Sequence, residues 1–350
     1  MILKFFSDQL KFYSDLLSNL PIKKLFTSIK SFNWDIYYKE TKEKLKDLTR
    51  TNYNLALFHL NSGNTSDAIM RFKITSYIDK QKLYPDIEYY LGLCYYITFK
   101  YDDSKEHLTN YIEKGLSEKT EEAKFLLSAI ENKIDETKTI PSSLGAIYYE
   151  QMAKQYGMSL EMHEKEALNS FIAQISSHKN IQKSSSIQKI LELGCKTGGV
   201  GRALKENGIT SIIEAIEPSN ILIEEAKASK FQEEPVYSSL KCCDIHEYIS
   251  NKTARKKFDI IISHDALNLT PSLLPLFKEL ETILSSTGFI ALSLRITDKK
   301  NWTFNNLPCR FLFNKDYIAN KIKEAGLKIS SQSEILFQNG DKGIAVIITK

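Results

Sequence analysis

The chain has 350 residues, with 47 lysines and arginines against 43 aspartates and glutamates, for a net charge of +4. This length accommodates two domains, and because the two signs are interspersed along the chain, no nucleic-acid-binding patch is expected. No apolar run approaches the roughly 18 residues that a membrane span needs. The five cysteines have neither zinc-ligand spacing nor a disulfide framework, so we expect no metal site and a cytoplasmic protein.

The amino-terminal segment, residues 1–48, has helical periodicity without a repeat. Its apolar positions 2, 5, 6, 10, 13, 16, 17 and 20 follow one helical stripe, and Asp8 and Asp15 interrupt any signal-peptide core. We expect this stripe to pack against the helices that follow and to cap them. Attachment to a membrane surface is the alternative.

Residues 49–134 are internally repetitive. The pairs Leu55-Ala56, Leu91-Gly92 and Leu127-Ser128 recur at a spacing of 36 residues. This period predicts two helical hairpins followed by a third helix over 121–133. The second residue of each pair is small, which would let neighbouring helices approach closely.

The run 54–63, followed by Ala68 and Phe72, resembles the tetratricopeptide repeat, a helical hairpin that stacks into a solenoid. The resemblance implies a concave face for a protein or peptide partner. The tyrosines that could line this face are Tyr53, Tyr89, Tyr90, Tyr95 and Tyr96. In the alternative interpretation they form the core of the repeats, and the solenoid only braces the domain that follows.

Residues 135–145 are polar and contain Pro141, a composition typical of a linker. We therefore place the domain boundary here. The repeats are expected to be separable from a second domain over residues 146–350.

The second domain begins its sheet with the most informative motif of the chain. An apolar run ends near Glu192, and Gly194 and Gly198 follow it, which predicts a buried parallel strand that turns into a helix. A second strand over 211–217 ends in Glu217. A carboxylate at this place, about 20 residues after the glycines, can accept hydrogen bonds from the ribose hydroxyls of a nucleoside.

This pattern resembles the first motif of class I S-adenosylmethionine-dependent methyltransferases, an acidic residue followed by three alternate glycines. Lys196 stands in place of the middle glycine. The resemblance implies S-adenosylmethionine as the cofactor and a Rossmann-like, seven-stranded α/β sheet in the order 3-2-1-4-5-7-6, behind the α-helical repeats. The cofactor-binding residues that it implies are Glu192, Gly194, Cys195, Lys196, Gly198, Glu217, Asp244, Ile245 and Ser263.

Later segments fit the same family. A strand is expected over 258–263, and the run 284–288 resembles the turn that precedes the fifth strand of these enzymes. Asn339-Gly340-Asp341 is a strong turn signal and predicts a hairpin between strands 328–337 and 342–349.

Tyr149, Ala153 and Tyr156 resemble the segment that precedes the first motif in bacterial predicted methyltransferases containing tetratricopeptide repeats. Met152 departs from that pattern, which has tyrosine there. With the repeats included, the resemblance covers roughly residues 50–350. It implies the fold and the reaction class, and it leaves the methyl acceptor open.

Methyl transfer requires alignment of the acceptor with the methyl group, and a general base only when the acceptor carries a proton. The catalytic candidates are His264 and Asp265, after the fourth strand, with Tyr149 and Tyr156 on the segment before the first motif. The ordinary pKa of histidine suits proton removal. A loop histidine bonded to the backbone is the alternative for His264.

Two functions are compatible with these patterns, besides a small-molecule methyltransferase whose repeats serve only for assembly. In the first, the chain is a methyltransferase whose repeats select or present a protein or peptide acceptor. In the second, it is a scaffold of repeats attached to a domain that has the methyltransferase fold but no longer catalyses methyl transfer. Lys196 separates the two, because lysine at a position with positive φ costs of order 1 kcal/mol relative to glycine.

Overall fold

A computed structural model of the chain describes most of the sequence. The described residues are 47–115, 118–135, 137–156, 165–178, 188–209, 211–250, 257–306, 309–337 and 340–350. The helical stripe predicted for the amino-terminal segment lies outside them. So does the side chain of Tyr156, for which the structure describes the backbone alone.

The repetitive segment is helical. Its helices are α1 (Leu48–Asn61), α2 (Thr65–Ile78), α3 (Ile87–Ile97), α4 (Tyr101–Glu113) and α5 (Thr120–Ile130). They confirm two hairpins and a third helix, which ends three residues before the predicted 133. Gly92 explains how closely α3 and α4 pack, because a Cβ atom there would lie 2.6 Å from Cγ of Leu108. The hydroxyl of Ser104 donates to the carbonyl of Gly92 at 2.8 Å.

The tyrosines of the repeats are divided between core and surface. Tyr89, Tyr95 and Tyr96 are buried, which supports the packing interpretation for these three. Tyr53 is half-buried, stacks on Tyr84 with ring centroids 4.2 Å apart, and donates its hydroxyl hydrogen to Asp86 at 2.6 Å. These contacts hold the first hairpin against the second.

Helices and strands alternate through the rest of the chain. The helices are α6 (Ser142–Tyr156), α7 (Lys165–Ser176), α8 (Gly199–Glu206), α9 (Asn220–Ala228), α10 (Ile245–Ser250), α11 (Leu273–Ile283) and α12 (Lys315–Glu324). The strands of the main sheet are β1 (Lys189–Leu193), β2 (Ile212–Glu217), β5 (Ser239–Cys242), β6 (Phe258–His264), β7 (Leu284–Arg295), β10 (Lys328–Leu336) and β11 (Lys342–Thr349). Two short hairpins lie outside this sheet and consist of β3 (Lys230–Phe231), β4 (Glu234–Pro235), β8 (Trp302–Asn305) and β9 (Arg310–Phe313).

The strands of the main sheet lie side by side in the order β10-β11-β7-β6-β1-β2-β5. Counted along the chain as strands one to seven and read from β5, this order is 3-2-1-4-5-7-6. The five strands from β5 to β7 are parallel, whereas β11 is antiparallel to both β7 and β10. The carboxyl ends of the parallel strands therefore meet at one edge, where such sheets bind their ligands.

Both faces of the central strands β1 and β6 are buried. Ile190, Ile260 and Ile262 belong to a core on one face, while Leu191 and Ile261 belong to a second core that is continuous with the repeats. Because neither face meets water there, β6 is apolar over Ile260–Ile262. The described residues from 52 onward form one compact unit.

Three segments differ from the sequence-based expectation or refine it. Helix α6 begins at Ser142, inside the predicted linker, and Ile140 is buried with its N–H donating to the carbonyl of Leu269 at 2.7 Å. The run 284–288 is no turn but the start of β7, with a shift in register against β6. The strands predicted at 328–337 and 342–349 are present as β10 and β11.

Among the described residues, the helices are too short or too polar to cross a membrane. Within the same part of the chain, no cluster of histidine, cysteine or acidic side chains could hold a metal ion.

Candidate functional site

The loop between β1 and α8 is the centre of the candidate site. Gly194 has φ +75°, and a Cβ atom there would lie 2.3 Å from Cβ of Ala266, so only glycine fits. Gly198 has φ +96° and comes directly before α8. The two glycines let the chain turn sharply at the sheet edge, and α8 then directs its first N–H groups toward this edge.

Glu217 lies at the carboxyl end of β2, and its carboxylate is almost completely buried. One oxygen accepts from the N–H of Lys196 at 2.9 Å, and the other accepts from the N–H of Ser219 at 3.0 Å. Burial raises the pKa of Glu217 to about 7, although the two N–H donors oppose this shift. Each carboxylate oxygen can accept a further hydrogen bond, so this group can still bind a pair of ligand hydroxyls.

Asp244 and Ile245 follow β5, next to Glu217 on the same sheet edge. One oxygen of Asp244 accepts from the hydroxyl of Ser142, and the other accepts from the N–H of Glu247 at 3.0 Å. Asp244 thus begins α10 and contacts α6 as well. Sequence reasoning missed Ser142, because it assigned this residue to the linker.

Three of the predicted cofactor residues lie behind the loop. Glu192 accepts from the hydroxyl of Tyr237 at 3.0 Å, Ser263 donates to the carbonyl of Leu193 at 2.9 Å, and Cys195 is buried. In the structure these side chains support the loop from within.

Lys196 adopts φ +51°, in the region that favours glycine. Its Nζ atom lies 4.2 Å from the centre of the Tyr149 ring, on α6. The side chain therefore leaves the loop and crosses to α6. This cation–π contact is worth about 0.5–1 kcal/mol at partly exposed sites, which offsets part of the backbone strain.

Asp265 is fully buried in a cluster of charges. Its Oδ2 atom accepts from Arg295 Nε at 2.9 Å, from Arg310 Nη1 at 2.9 Å and from the Tyr149 hydroxyl at 3.0 Å. Burial alone would raise the pKa of Asp265, but the two guanidinium groups hold it well below its usual range. A carboxylate fixed in this way is a poor proton acceptor, so its predicted role as a base is disfavoured. Arg310 binds this carboxylate in the structure.

His264 is buried on the opposite side of the strand end. Its ring stacks on Phe171 with centroids 5.3 Å apart, packs against Phe337, and its Nδ1 lies 2.7 Å from Oγ of Ser293. These contacts favour the structural interpretation of His264. Of the four predicted catalytic residues, Tyr149 is the one whose described side chain lines the same pocket as Lys196 and Glu217.

Helix α6 lies over the sheet edge and separates two spaces. We call the space between α6 and the strand ends the cleft; its volume is about 40 Å³ and its lining includes Ala146, Tyr149, Gly194, Lys196, Glu217, Ile245 and Ala266. We call the space on the other side of α6 the repeat-side cavity; its volume is about 360 Å³ and its lining includes Leu60, Asn61, Tyr89, Tyr90, Ala146, Glu150 and Ser219. The repeats, α6 and the sheet edge are therefore adjacent layers.

Comparison with known families identifies this domain. Residues 159–332 match the family described as a methyltransferase domain. The chain thus contains a methyltransferase domain. No curated protein sequence matches the chain.

Several solved structures resemble part of this chain at low sequence identity. A methyltransferase of Leishmania major, described as dependent on S-adenosylmethionine, is 12% identical over 59% of this chain and 82% of its own, with a TM-score of 0.48. A 1,6-didemethyltoxoflavin-N1-methyltransferase of Burkholderia thailandensis is 14% identical over 62% and 93%, with a TM-score of 0.45. The magnesium protoporphyrin IX methyltransferase of Synechocystis, solved with S-adenosylhomocysteine, is 13% identical over 60% and 95%, with a TM-score of 0.45.

Proposed function

We propose that this chain is an S-adenosylmethionine-dependent methyltransferase whose repeats select or present the acceptor. The observation that carries the proposal is the placement of Glu217. This carboxylate lies at the carboxyl end of β2, beside the Gly194–Gly198 loop, and keeps acceptor capacity for two hydroxyls.

The residues of the sheet edge fit the parts of this cofactor. Glu217 would bind the ribose hydroxyls, Asp244 the adenine amino group, and the loop from Gly194 to Lys196 the methionyl part. The sulfonium of S-adenosylmethionine supplies an electrophilic methyl group. The contribution of the protein is to hold this group and the acceptor in line.

The acceptor is proposed to need no strong base from the protein. Asp265 is held ionised by Arg295 and Arg310, and His264 is enclosed by aromatic rings behind the strand end. The Tyr149 hydroxyl donates its hydrogen to Asp265. These contacts favour an acceptor atom that is deprotonated before the transfer.

A protein or peptide acceptor in the cytoplasm is the form of the proposal that we favour. The repeats have several exposed large apolar side chains, and such side chains are suited to protein contacts. They are Phe58, Met70, Tyr77, Leu83 and Phe99.

The second candidate is a scaffold protein whose methyltransferase domain no longer catalyses methyl transfer. The observations that favour it are the positive φ of Lys196 and the cleft of about 40 Å³, far below the roughly 300–1,000 Å³ of common ligand pockets. Calorimetric titration of the full chain with S-adenosylmethionine separates the two candidates.

We expect saturable binding by the wild-type chain, and at least tenfold weaker binding by Glu217→Ala, because hydrogen bonds to a carboxylate are worth about 1.5–3 kcal/mol each. Glu214→Ala is the matched control. Glu214 belongs to the same strand and is half-buried, but it lies away from the carboxyl end. Failure of the wild-type chain to bind at millimolar cofactor would support the scaffold.

A further inference from the structure

Helix α6 is held tightly on the cleft side. Ser142 donates to Asp244, and the Tyr149 hydroxyl donates to Asp265 at 3.0 Å. At Gly145 the helix backbone comes so close to the loop after β6 that a Cβ atom would lie 2.4 Å from Cδ2 of Leu269. These contacts leave about 40 Å³ between α6 and the strand ends.

The opposite side of α6 is attached to the repeats. The side-chain amide of Gln151 donates to the carbonyl of Leu60, the penultimate residue of α1, at 3.1 Å. The hydroxyl of Ser143 donates to the carboxylate of Glu122, on α5, at 3.0 Å. Leu144 is buried in the apolar core that the repeats share with this side of the sheet. The position of α6 therefore depends on both neighbours.

A nucleoside ligand and α6 in its present position compete for the same space. A volume of 40 Å³ accommodates only about one to three water molecules. Cofactor binding therefore requires α6 to move away from the strand ends.

The repeat-side cavity provides the room for that movement. About 360 Å³ of space, partly open to solvent, lies directly behind α6. Ala146 lines both spaces, so at this residue α6 is the partition between them. A shift of α6 toward α1 and α3 would enlarge the cleft at the expense of the cavity.

We propose that α6 is a gate for the cofactor and that the repeats control it through the volume of the repeat-side cavity. The inference rests on the proposed function, since the gated ligand is the cofactor. The latch of the gate is the carboxylate of Glu150, which accepts from the hydroxyl of Ser219, at the start of α9, over 2.5 Å. Any group that fills the cavity, from a partner or from a larger side chain, holds α6 against the strand ends.

The test measures association of S-adenosylhomocysteine with the full chain by stopped-flow fluorescence. Asn61→Trp places an indole in the cavity from the end of α1, and we expect it to lower the apparent association rate at least about fivefold, in proportion to the open fraction. Asn64→Trp is the matched control, because Asn64 is exposed before α2 and its side chain makes no capping bond. This control should associate at the wild-type rate.

A second pair of variants tests the latch in the opposite direction. Glu150→Ala removes the hydrogen bond to Ser219 and should raise the apparent association rate up to about tenfold. Glu150→Gln keeps an acceptor for that hydrogen bond without the charge, and it should stay nearer the wild-type rate. The charge of Glu150 also contributes to the raised pKa of Glu217, after the effect of burial, and this pair of variants separates that electrostatic effect from the hydrogen bond to Ser219.

The outcomes are distinguishable. If the wild-type chain does not bind S-adenosylhomocysteine, the proposed function fails. If it binds, and both Asn61→Trp and Glu150→Ala associate at the wild-type rate while keeping the wild-type circular dichroism spectrum, the gate is overturned. Slower association by Asn61→Trp but not Asn64→Trp, with faster association by Glu150→Ala, supports it.

Discussion

Glu217 is placed where burial and hydrogen bonding act on its charge in opposite directions. Burial favours the neutral carboxyl group, whereas the N–H groups of Lys196 and Ser219 favour the carboxylate, and the pKa is raised from 4.5 to about 7. Near neutral pH this group is therefore divided between two protonation states. A ligand with a pair of hydroxyls should bind the ionised state better, because that state only accepts hydrogen bonds.

This shift predicts a pH-dependent stability. The pKa of Glu217 is higher in the folded state than in the unfolded state, so folding is accompanied by uptake of a proton. The stabilisation that protonated Glu217 contributes is therefore fully present below pH 4.5 and is lost as the pH rises through 7. A difference of 2.5 pKa units corresponds to about 3 kcal/mol. The glutamine of Glu217→Gln cannot ionise. The free energy of unfolding of this variant, measured relative to wild type at the same pH, should therefore increase between pH 4.5 and pH 8. Denaturant titrations at four pH values check this, and parallel curves would contradict it.

Lys196 shows how strain and compensation can cancel at one residue. Its positive φ costs of order 1 kcal/mol relative to glycine, and its contact with the Tyr149 ring returns about 0.5–1 kcal/mol. We expect Lys196→Gly to change the free energy of unfolding little. Lys196→Met keeps the strain and loses the cation–π contact, so it should destabilise by about 0.5–1 kcal/mol. Urea denaturation of both variants and of wild type decides this. A Lys196→Met variant as stable as wild type would show that the ring contact contributes nothing.

At the scale of helices and strands, the predictable features are those set by local pattern. Strand β1 is predictable because both of its faces are buried, so that apolar residues predominate between Lys189 and Leu193. The start of α6 was not predictable, since Ile140 and Ser142 are ordered by contacts with Leu269 and Asp244 that lie far along the chain. The charge cluster at Asp265 has the same cause: β7 of the sheet brings Arg295 to it from 30 residues away, and the β8–β9 hairpin brings Arg310 from 45 residues away.

Positions that are equivalent in the 36-residue repeat do not pack in the same way. Gly92 lies against Leu108, whereas Ser128, 36 residues later, is only half-buried and bonds within its own helix. Gly92→Ala should therefore destabilise the protein by about 1–3 kcal/mol through overpacking, which exceeds the gain in helix propensity. Ser128→Ala, the matched control, should be neutral or slightly stabilising. Thermal unfolding of the two variants measures the contrast, and stabilisation by Gly92→Ala would refute the close approach of α3 and α4.

At the scale of the whole molecule, side chains of the repeats contact the β8–β9 hairpin of the methyltransferase domain. Phe125, on α5, packs edge-on against Phe304, on β8, with ring centroids 5.6 Å apart. Nearby, Asn306 donates to the hydroxyl of Tyr101, on α4, at 3.1 Å. Together with the contacts of α6, these make the repeats part of the unit formed by residues 52–350. This arrangement opposes the separability expected from the composition of residues 135–145.

Cooperative unfolding tests this integration directly. Trp302, on β8, reports on the methyltransferase side, while far-ultraviolet circular dichroism is dominated by helices, many of them in the repeats; Trp34→Phe removes the other tryptophan. Because an aromatic pair is worth about 0.5–1.5 kcal/mol beyond its buried area, Phe125→Leu should lower the denaturation midpoints of both signals together. Phe99→Leu, at an exposed position of the repeats, is the control and should move neither. If Phe125→Leu shifts the circular dichroism transition and leaves the Trp302 transition in place, the repeats unfold as a separate domain and the boundary at 135–145 stands.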